Sequence, residues 1–128
     1  MESKSENDIS YIIRGAIFKV YNELGPGLLE SVYEAVLCFE LQKQGLLVKR
    51  QVPLPVIYED VELEIGFRLD VLVNDKIIIE IKSVENLEKV HHKQILTYLK
   101  LTGLKLGILV NFNVDNITEG IFRKVNGL

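Results

Sequence analysis

Residues 61–73 alternate without a break: Val61, Leu63, Ile65, Phe67, Leu69, Val71 and Val73 stand at odd positions, with mostly polar residues between them. Only an extended chain has a period of two, so this segment reads as a strand with one face in a core. Residues 76–83 follow as another strand, with Ile77, Ile79 and Ile81 on one face and Ile78, Glu80 and Lys82 on the other. Together they predict a hairpin. A one-residue slip would turn one apolar set out of the core. The matching faces therefore select the register: Val73 opposite Ile77, Val71 opposite Ile79, Leu69 opposite Ile81. The loop is then Asn74-Asp75-Lys76. This register sets Asp70 opposite Glu80 and Arg68 opposite Lys82, on the face that also carries Glu64, Gly66 and Leu72.

The flanking segments supply covers for such a sheet. Ile9, Ile13, Ala16, Ile17, Val20 and Leu24 recur at helical spacing, predicting a helix over residues 8–24 with Asp8 as its cap. Gly25-Pro26-Gly27 stops it, and a second helix is expected over residues 29–44, ending at Gly45. Residues 46–58 read as extended chain, placed at a sheet edge by Pro53 and Pro55. Glu59-Asp60 reads as a turn. A third helix is expected over residues 87–102, a buried strand over 104–111 and a short strand over 121–125. The strand after the third helix can return parallel. The fold class is then α/β, with a mixed central sheet of about four strands flanked by helices. The chain has 128 residues, 48% of them hydrophobic, which is enough for one such core. A single domain over residues 1–128 is expected, with residues 1–7 as a flexible tail.

The same composition excludes several classes. The apolar content is too high for disorder. The single cysteine, Cys38, cannot make an internal disulfide. No apolar run approaches the roughly 20 residues needed to span a bilayer, and residues 1–10 are too polar for a secretory signal. A cytoplasmic protein without a membrane partner is expected. The formal net charge is -3, so a nucleic-acid partner would have to be gripped by a local basic patch.

Directly opposed carboxylates repel unless a cation lies between them. Asp70 and Glu80 therefore suggest a divalent ion, and acidic oxygens suit magnesium or manganese. Lys82, on the same face, can neutralise the pair, orient a water or steady a developing negative charge. A solvated hairpin face would carry similar residues, so the helices matter. At about 100° per residue, Glu30, Tyr33, Leu37 and Leu41 fall on one sheet-facing stripe. A carboxylate there is costly unless paired or metal-linked, although one at a helix start can simply answer the dipole. In the third helix Val90, Gln94, Tyr98 and Leu101 form the inward stripe, so Gln94 needs a hydrogen-bond partner. Lys89, Lys93 and Lys100 form another stripe, which is a solvated face and also the best candidate for phosphate contact. Adjacent His91 and His92 diverge by about 100° and cannot easily share one ion. No Cys/His spacing supports zinc, and Cys38 reads as a buried apolar filler. Gly25-Pro26-Gly27 lacks the lysine of a phosphate cradle.

These residues resemble a known family. Asp70, then Glu80-Ile81-Lys82, then Gln94 is similar to the core signature of the PD-(D/E)XK nuclease superfamily. The order of elements resembles its restriction-endonuclease-like αβββαβ core. Gly27-Leu28-Leu29-Glu30-Ser31-Val32-Tyr33 matches the GxxExxY motif that names one branch of it. The resemblance runs over about residues 9–125. Leu69 stands where the motif has proline, a position that tolerates apolar residues. The resemblance implies that Asp70 and Glu80 hold Mg2+ or Mn2+ with help from the Ile81 carbonyl. Lys82 would position or activate the attacking water, Glu30 would complete the site, and Gln94 would orient the site or the substrate. Tyr33 would join Lys89 and Lys93 in binding substrate, with DNA as the expected nucleic acid.

Two functions stay open at this level. One is a metal-dependent nuclease hydrolysing phosphodiester bonds, favoured by the complete set of site residues. The other is a non-catalytic nucleic-acid-binding or protein-interaction module retaining a nuclease-like site, favoured by small size and net negative charge. Exposed strand edges could also support a homodimer.

Overall fold

The computed structural model describes residues 4–128, apart from the side chains of residues 55–56 and 64–66. The expected facing of Glu64, Ile65 and Gly66, the placement of the Pro55 ring and the first three residues of the expected tail thus lie outside the described residues. In chain order the elements are α1 (Glu6–Leu24), α2 (Glu30–Lys43), β1 (Val48–Tyr58), β2 (Val61–Val73), β3 (Ile77–Lys82), α3 (Lys89–Thr102), β4 (Leu106–Asn111), a short 3-10 turn (Ile117–Gly120) and β5 (Ile121–Val125). The strands form one sheet in the order β1-β2-β3-β4-β5. β3 and β4 run parallel and the other neighbours antiparallel. This is the mixed α/β sheet expected, with five strands instead of about four because residues 121–125 pair with β4.

α1 begins earlier than its apolar pattern suggests. The Ser5 hydroxyl accepts from the Asp8 N–H, and the Asp8 carboxylate accepts from the Ser5 N–H. This reciprocal box makes Ser5 the cap and Asp8 its partner. Part of the segment expected as a tail is therefore helix and cap.

The sheet is covered on both faces. α1 and α2 bring Ile13, Ile17, Tyr33, Leu37 and Leu41 onto Val71, Val73, Ile79 and Ile108. α3 brings Ile95, Tyr98 and Leu99 onto Leu69, Ile78 and Leu109. Double coverage explains the unbroken isoleucine run of β3, since a central strand has no solvent face. Gly107 lets α3 lie close on β4: a Cβ there would meet Ile95 Cδ1 at 2.9 Å. Val90 and Leu101, expected on the inward stripe of α3, are exposed.

The β2–β3 hairpin forms in the expected register, Val73 with Ile77 and Val71 with Ile79. Its loop is Asn74-Asp75-Lys76, with Asn74 and Asp75 at φ 52 and 53. Asn and Asp tolerate that left-handed backbone better than most residues. Beyond Val71 the expectation fails. Leu69 does not join Ile81 in one core: Ile81 lies on the α1/α2 side and Leu69 on the α3 side. The cause is a break at one level of β1 and β2. Pairing runs from Val48↔Val73 to Arg50↔Val71, skips Gln51 and Asp70, and resumes at Val52↔Leu69. Gln51 has φ 49. Across that break the strands exchange faces, so Val48, Val71 and Val73 look toward α1 and α2 while Val52, Leu54 and Leu69 look toward α3.

Candidate active site

The break places Asp70 in a gap between β2 and β3. The ladder bonds that would continue the hairpin are replaced by side chains. The Asp70 N–H donates to Glu80 Oε1 at 3.3 Å, and the Ile81 N–H donates to Asp70 Oδ2 at 2.8 Å. Each carboxyl therefore satisfies a backbone donor of the opposite strand. The two carboxyl groups also act on each other at close range. Asp70 and Glu80 thus meet, but through side chains in a gap and not as the ladder pair that side-chain parity predicts.

Glu80 is 4% exposed. Burial, then the Asp70 charge and hydrogen bond, push its carboxyl up to about 9. The Asp70 N–H and the nearby Lys82 charge pull the other way and do not prevail. Glu80 is therefore protonated near neutrality in the metal-free protein, which is how two acids can share so small a space. Tyr98 approaches the pair from α3: burial, then Glu80 and Asp70, raise its phenol above the ordinary value.

On the α2 side, Glu30, Ser31, Glu34, Gln51, Asp70 and Ile81 line a cavity of about 310 Å³. Glu30 is not the buried, sheet-facing carboxylate that the helical stripe predicts. It is exposed because it is the first residue of α2. It still turns toward the end of β3, where its Oε1 accepts from the Ser83 N–H at 3.3 Å. The Ser83 hydroxyl donates to the Leu28 carbonyl at 2.6 Å, tying the chain beyond Lys82 to the segment before α2.

α2 buries two acids that the sequence reading missed: Glu40, paired with Lys19 and Lys43, and Glu34, one turn on from Glu30 and lining the cavity. Glu34 Oε2 accepts from Arg50 Nε at 3.1 Å and Nη2 at 2.9 Å, and Glu34 Oε1 accepts from Gln51 Nε2 at 2.7 Å. Consecutive residues of a regular strand point to opposite faces. Arg50 and Gln51 both reach Glu34 because Gln51 sits at positive φ. The only sequence signal was that Glu34 lies four residues after Glu30 and so shares its stripe.

The remaining predicted residues fall into three groups. Lys82 is half-buried at the end of β3. Lys89 and Lys93 are exposed on α3, and Gln94 is half-buried there, one turn before Tyr98 and across the sheet from the α2 cavity. Arg68, expected opposite Lys82, is exposed and reaches the Gln51 carbonyl at 3.4 Å; the β2–β3 ladder ends before its level. Tyr33 is a correction. It is fully buried, stacked on Phe112 with ring centroids 4.3 Å apart, so it cannot touch substrate. Its hydroxyl donates to the Gly25 carbonyl and accepts from the Leu28 N–H, bracing the Gly25-Pro26-Gly27 turn from below. Cys38 is buried as expected, its thiol pushed up to about 11 chiefly by burial.

A mixed sheet whose central hairpin opens around two acidic side chains, with one helix layer on each face, is a restriction-endonuclease-like arrangement. Residues 7–124 match the family model of the PD-(D/E)XK nuclease superfamily, and the chain belongs to that superfamily. Comparison with curated proteins and with solved structures gives no match. Among the described residues no helix is long and apolar enough to cross a membrane.

Proposed function

We propose that this protein is a divalent-cation-dependent nuclease of the GxxExxY branch, hydrolysing phosphodiester bonds, with DNA as the first substrate to test. One observation carries the reading: a buried carboxyl, Glu80, lies against a second carboxyl, Asp70, and neither is ion-paired to Arg or Lys among the described residues. Such a pair is an energetic cost to the fold unless a cation joins it.

The donors fit magnesium or manganese. Asp70, Glu80 and the Ile81 carbonyl make an all-oxygen set, and these ions keep several waters of their own. No cluster of three or more His, Cys, Asp or Glu side chains able to hold a metal occurs among the described residues, so water would complete the shell. When bound, the ion supplies Lewis acidity and a water of lowered pKa. Glu80 would give up its proton on becoming a ligand. Lys82, two residues along β3, positions the attacking water and steadies negative charge growing on the phosphate. Glu30 completes the site from the α2 rim of the cavity. Gln94 orients the substrate from α3, where Lys89 and Lys93 offer charge to the flanking phosphates.

The test is calorimetric titration of Mg2+ and Mn2+ into wild type, Asp70→Asn and Glu80→Gln, alongside cleavage assays on single-stranded, duplex and branched DNA and RNA. Binding that releases protons and disappears in both variants, with cleavage that follows it, is expected. A wild-type protein that binds neither ion and cuts none of the substrates overturns the reading and leaves an interaction module.

A further inference from the structure

Among the described residues, five other than glycine have positive φ. Glu59 with Asp60 and Asn74 with Asp75 fill the two hairpin turns that flank β2, where a left-handed pair is the ordinary solution. Gln51 is the fifth, at φ 49, and it stands inside β1. Left-handed backbone is disfavoured for L-residues, and Gln lacks the short side chain that lets Asn or Asp adopt it. No residue is inserted at that point: Arg50↔Val71 and Val52↔Leu69 keep one register, so the break is not a bulge. Such a conformation persists only where its surroundings hold it.

Three groups hold it. The Gln51 side-chain amide donates to Glu34 Oε1 at 2.7 Å, Arg50 fixes the other oxygen of that carboxylate, and Arg68 Nη1 donates to the Gln51 carbonyl at 3.4 Å. Glu34 is 7% exposed, so the anchor is a buried group of α2 and not a solvated one. What they hold in place lies on the next strand. Gln51 stands across from Asp70, and at this level β2 stops pairing with β3. That ladder covers only residues 71–73, while β1 and β2 continue together as a two-stranded arm to Tyr58↔Val61. In an unbroken β2 the Asp70 side chain would share the α3 face with Leu72, two residues on. With the break it lines the cavity on the α2 side, together with Glu30 and Gln51 itself.

We infer that Gln51 is a positioning residue of the site. Its left-handed backbone, clamped to Glu34, turns Asp70 out of the β2–β3 ladder and into the α2 cavity, on the side from which Glu30 approaches. That an ion binds there rests on the nuclease reading; the placement of Asp70 by Gln51 does not.

Gln51→Gly and Gln51→Pro separate the backbone from the side chain, since both remove the amide that binds Glu34. Glycine adopts positive φ freely. Proline is locked near about −65°, and β1, an edge strand, already carries Pro53 and Pro55. The backbone amide resonances of Asp70 and Ile81 in the metal-free full chain report the placement, because each N–H is bonded to a carboxyl oxygen across the gap. They should stay near their wild-type positions in Gln51→Gly and shift in Gln51→Pro. Calorimetric Mg2+ affinity should stay within about threefold of wild type in the first and fall at least about tenfold in the second. Gln51→Val, whose branched side chain disfavours positive φ, takes the place of the proline variant if that one does not fold. Unmoved Asp70 and Ile81 resonances in the proline or valine variant, or an equal loss of Mg2+ affinity with glycine, overturns the inference. If the wild type binds no ion, the nuclease reading fails and the resonances alone decide whether Gln51 places Asp70.

Discussion

Two buried acids of this protein lie on opposite sides of one break in the sheet and have opposite surroundings. Glu34 on α2 is 7% exposed and Glu80 on β3 is 4% exposed. Glu34 is met by Arg50 and Gln51, which satisfy both of its oxygens. Glu80 is met by Asp70, and burial beside that carboxyl drives its own carboxyl up to about 9. The first is a charge the fold has neutralised by itself. The second is a charge deficit that the fold tolerates by keeping a proton. Burial alone does not mark a functional acid; burial against a like charge does. The positive φ of Gln51 serves both: it turns the Gln51 side chain to Glu34, and it interrupts pairing at the level where Asp70 enters the gap.

The sharpest way to separate the two acids is to remove each. Asp70→Asn and Glu80→Gln should lower magnesium-dependent cleavage by about a thousandfold or more, equal to about 4 kcal/mol of barrier, in a single-turnover nuclease assay. Lys82→Ala should fall in the same range. Urea denaturation without metal should show no loss of stability in Asp70→Asn or Glu80→Gln.

Glu34→Ala should behave in the reverse way. It strands the Arg50 guanidinium and the Gln51 amide and should cost about 2 kcal/mol in urea denaturation. Glu34→Gln, which keeps one acceptor, should cost less.

The acids should also separate by pH. Glu80 binds its proton more tightly folded than unfolded, so between about pH 4.5 and pH 9 the folded state holds more protons. Metal-free stability should therefore fall as pH rises through that window. Thermal melts in EDTA at pH 6, 7, 8 and 9 should show the decline in wild type and a flatter profile in Glu80→Gln. The variant should be the more stable protein at pH 8. Saturating Mg2+ should remove the decline, since the ion replaces the proton.

The smallest effect belongs to the α3 surface. Lys89→Ala with Lys93→Ala should weaken nucleic-acid binding by about tenfold or less at low salt. The slope of log affinity against log salt should drop by about two in fluorescence anisotropy titrations. Cleavage at saturating substrate should change little.

The central meeting was legible in the sequence. The apolar parity of Val71, Val73, Ile77 and Ile79 admits one register, and that register carries Asp70 to the level of Glu80, where the break in pairing lets the two side chains meet. The helix positions were legible for the same reason: hydrophobic spacing reports a local period. What the period could not report was where it is interrupted. Gln51 has no signature of a left-handed backbone, as a glycine would, so the exchange of faces that sends Leu69 toward α3 was invisible. Tyr33 shows the other blind spot. Its place in a motif suggested substrate contact, whereas Phe112, far along the chain, covers its ring and leaves it a structural brace.

Strand parity, helix stripes and the spacing of Asp70, Glu80 and Lys82 belong to the sequence alone, because each follows from the geometry of a single element. The protonation of Glu80, the neutralisation of Glu34 and the departure of the β1–β2 arm from the sheet belong to the tertiary structure. Each depends on which distant side chains arrive beside a given atom and how much water they exclude. Charge and burial at a point are sums over neighbours that no local pattern lists.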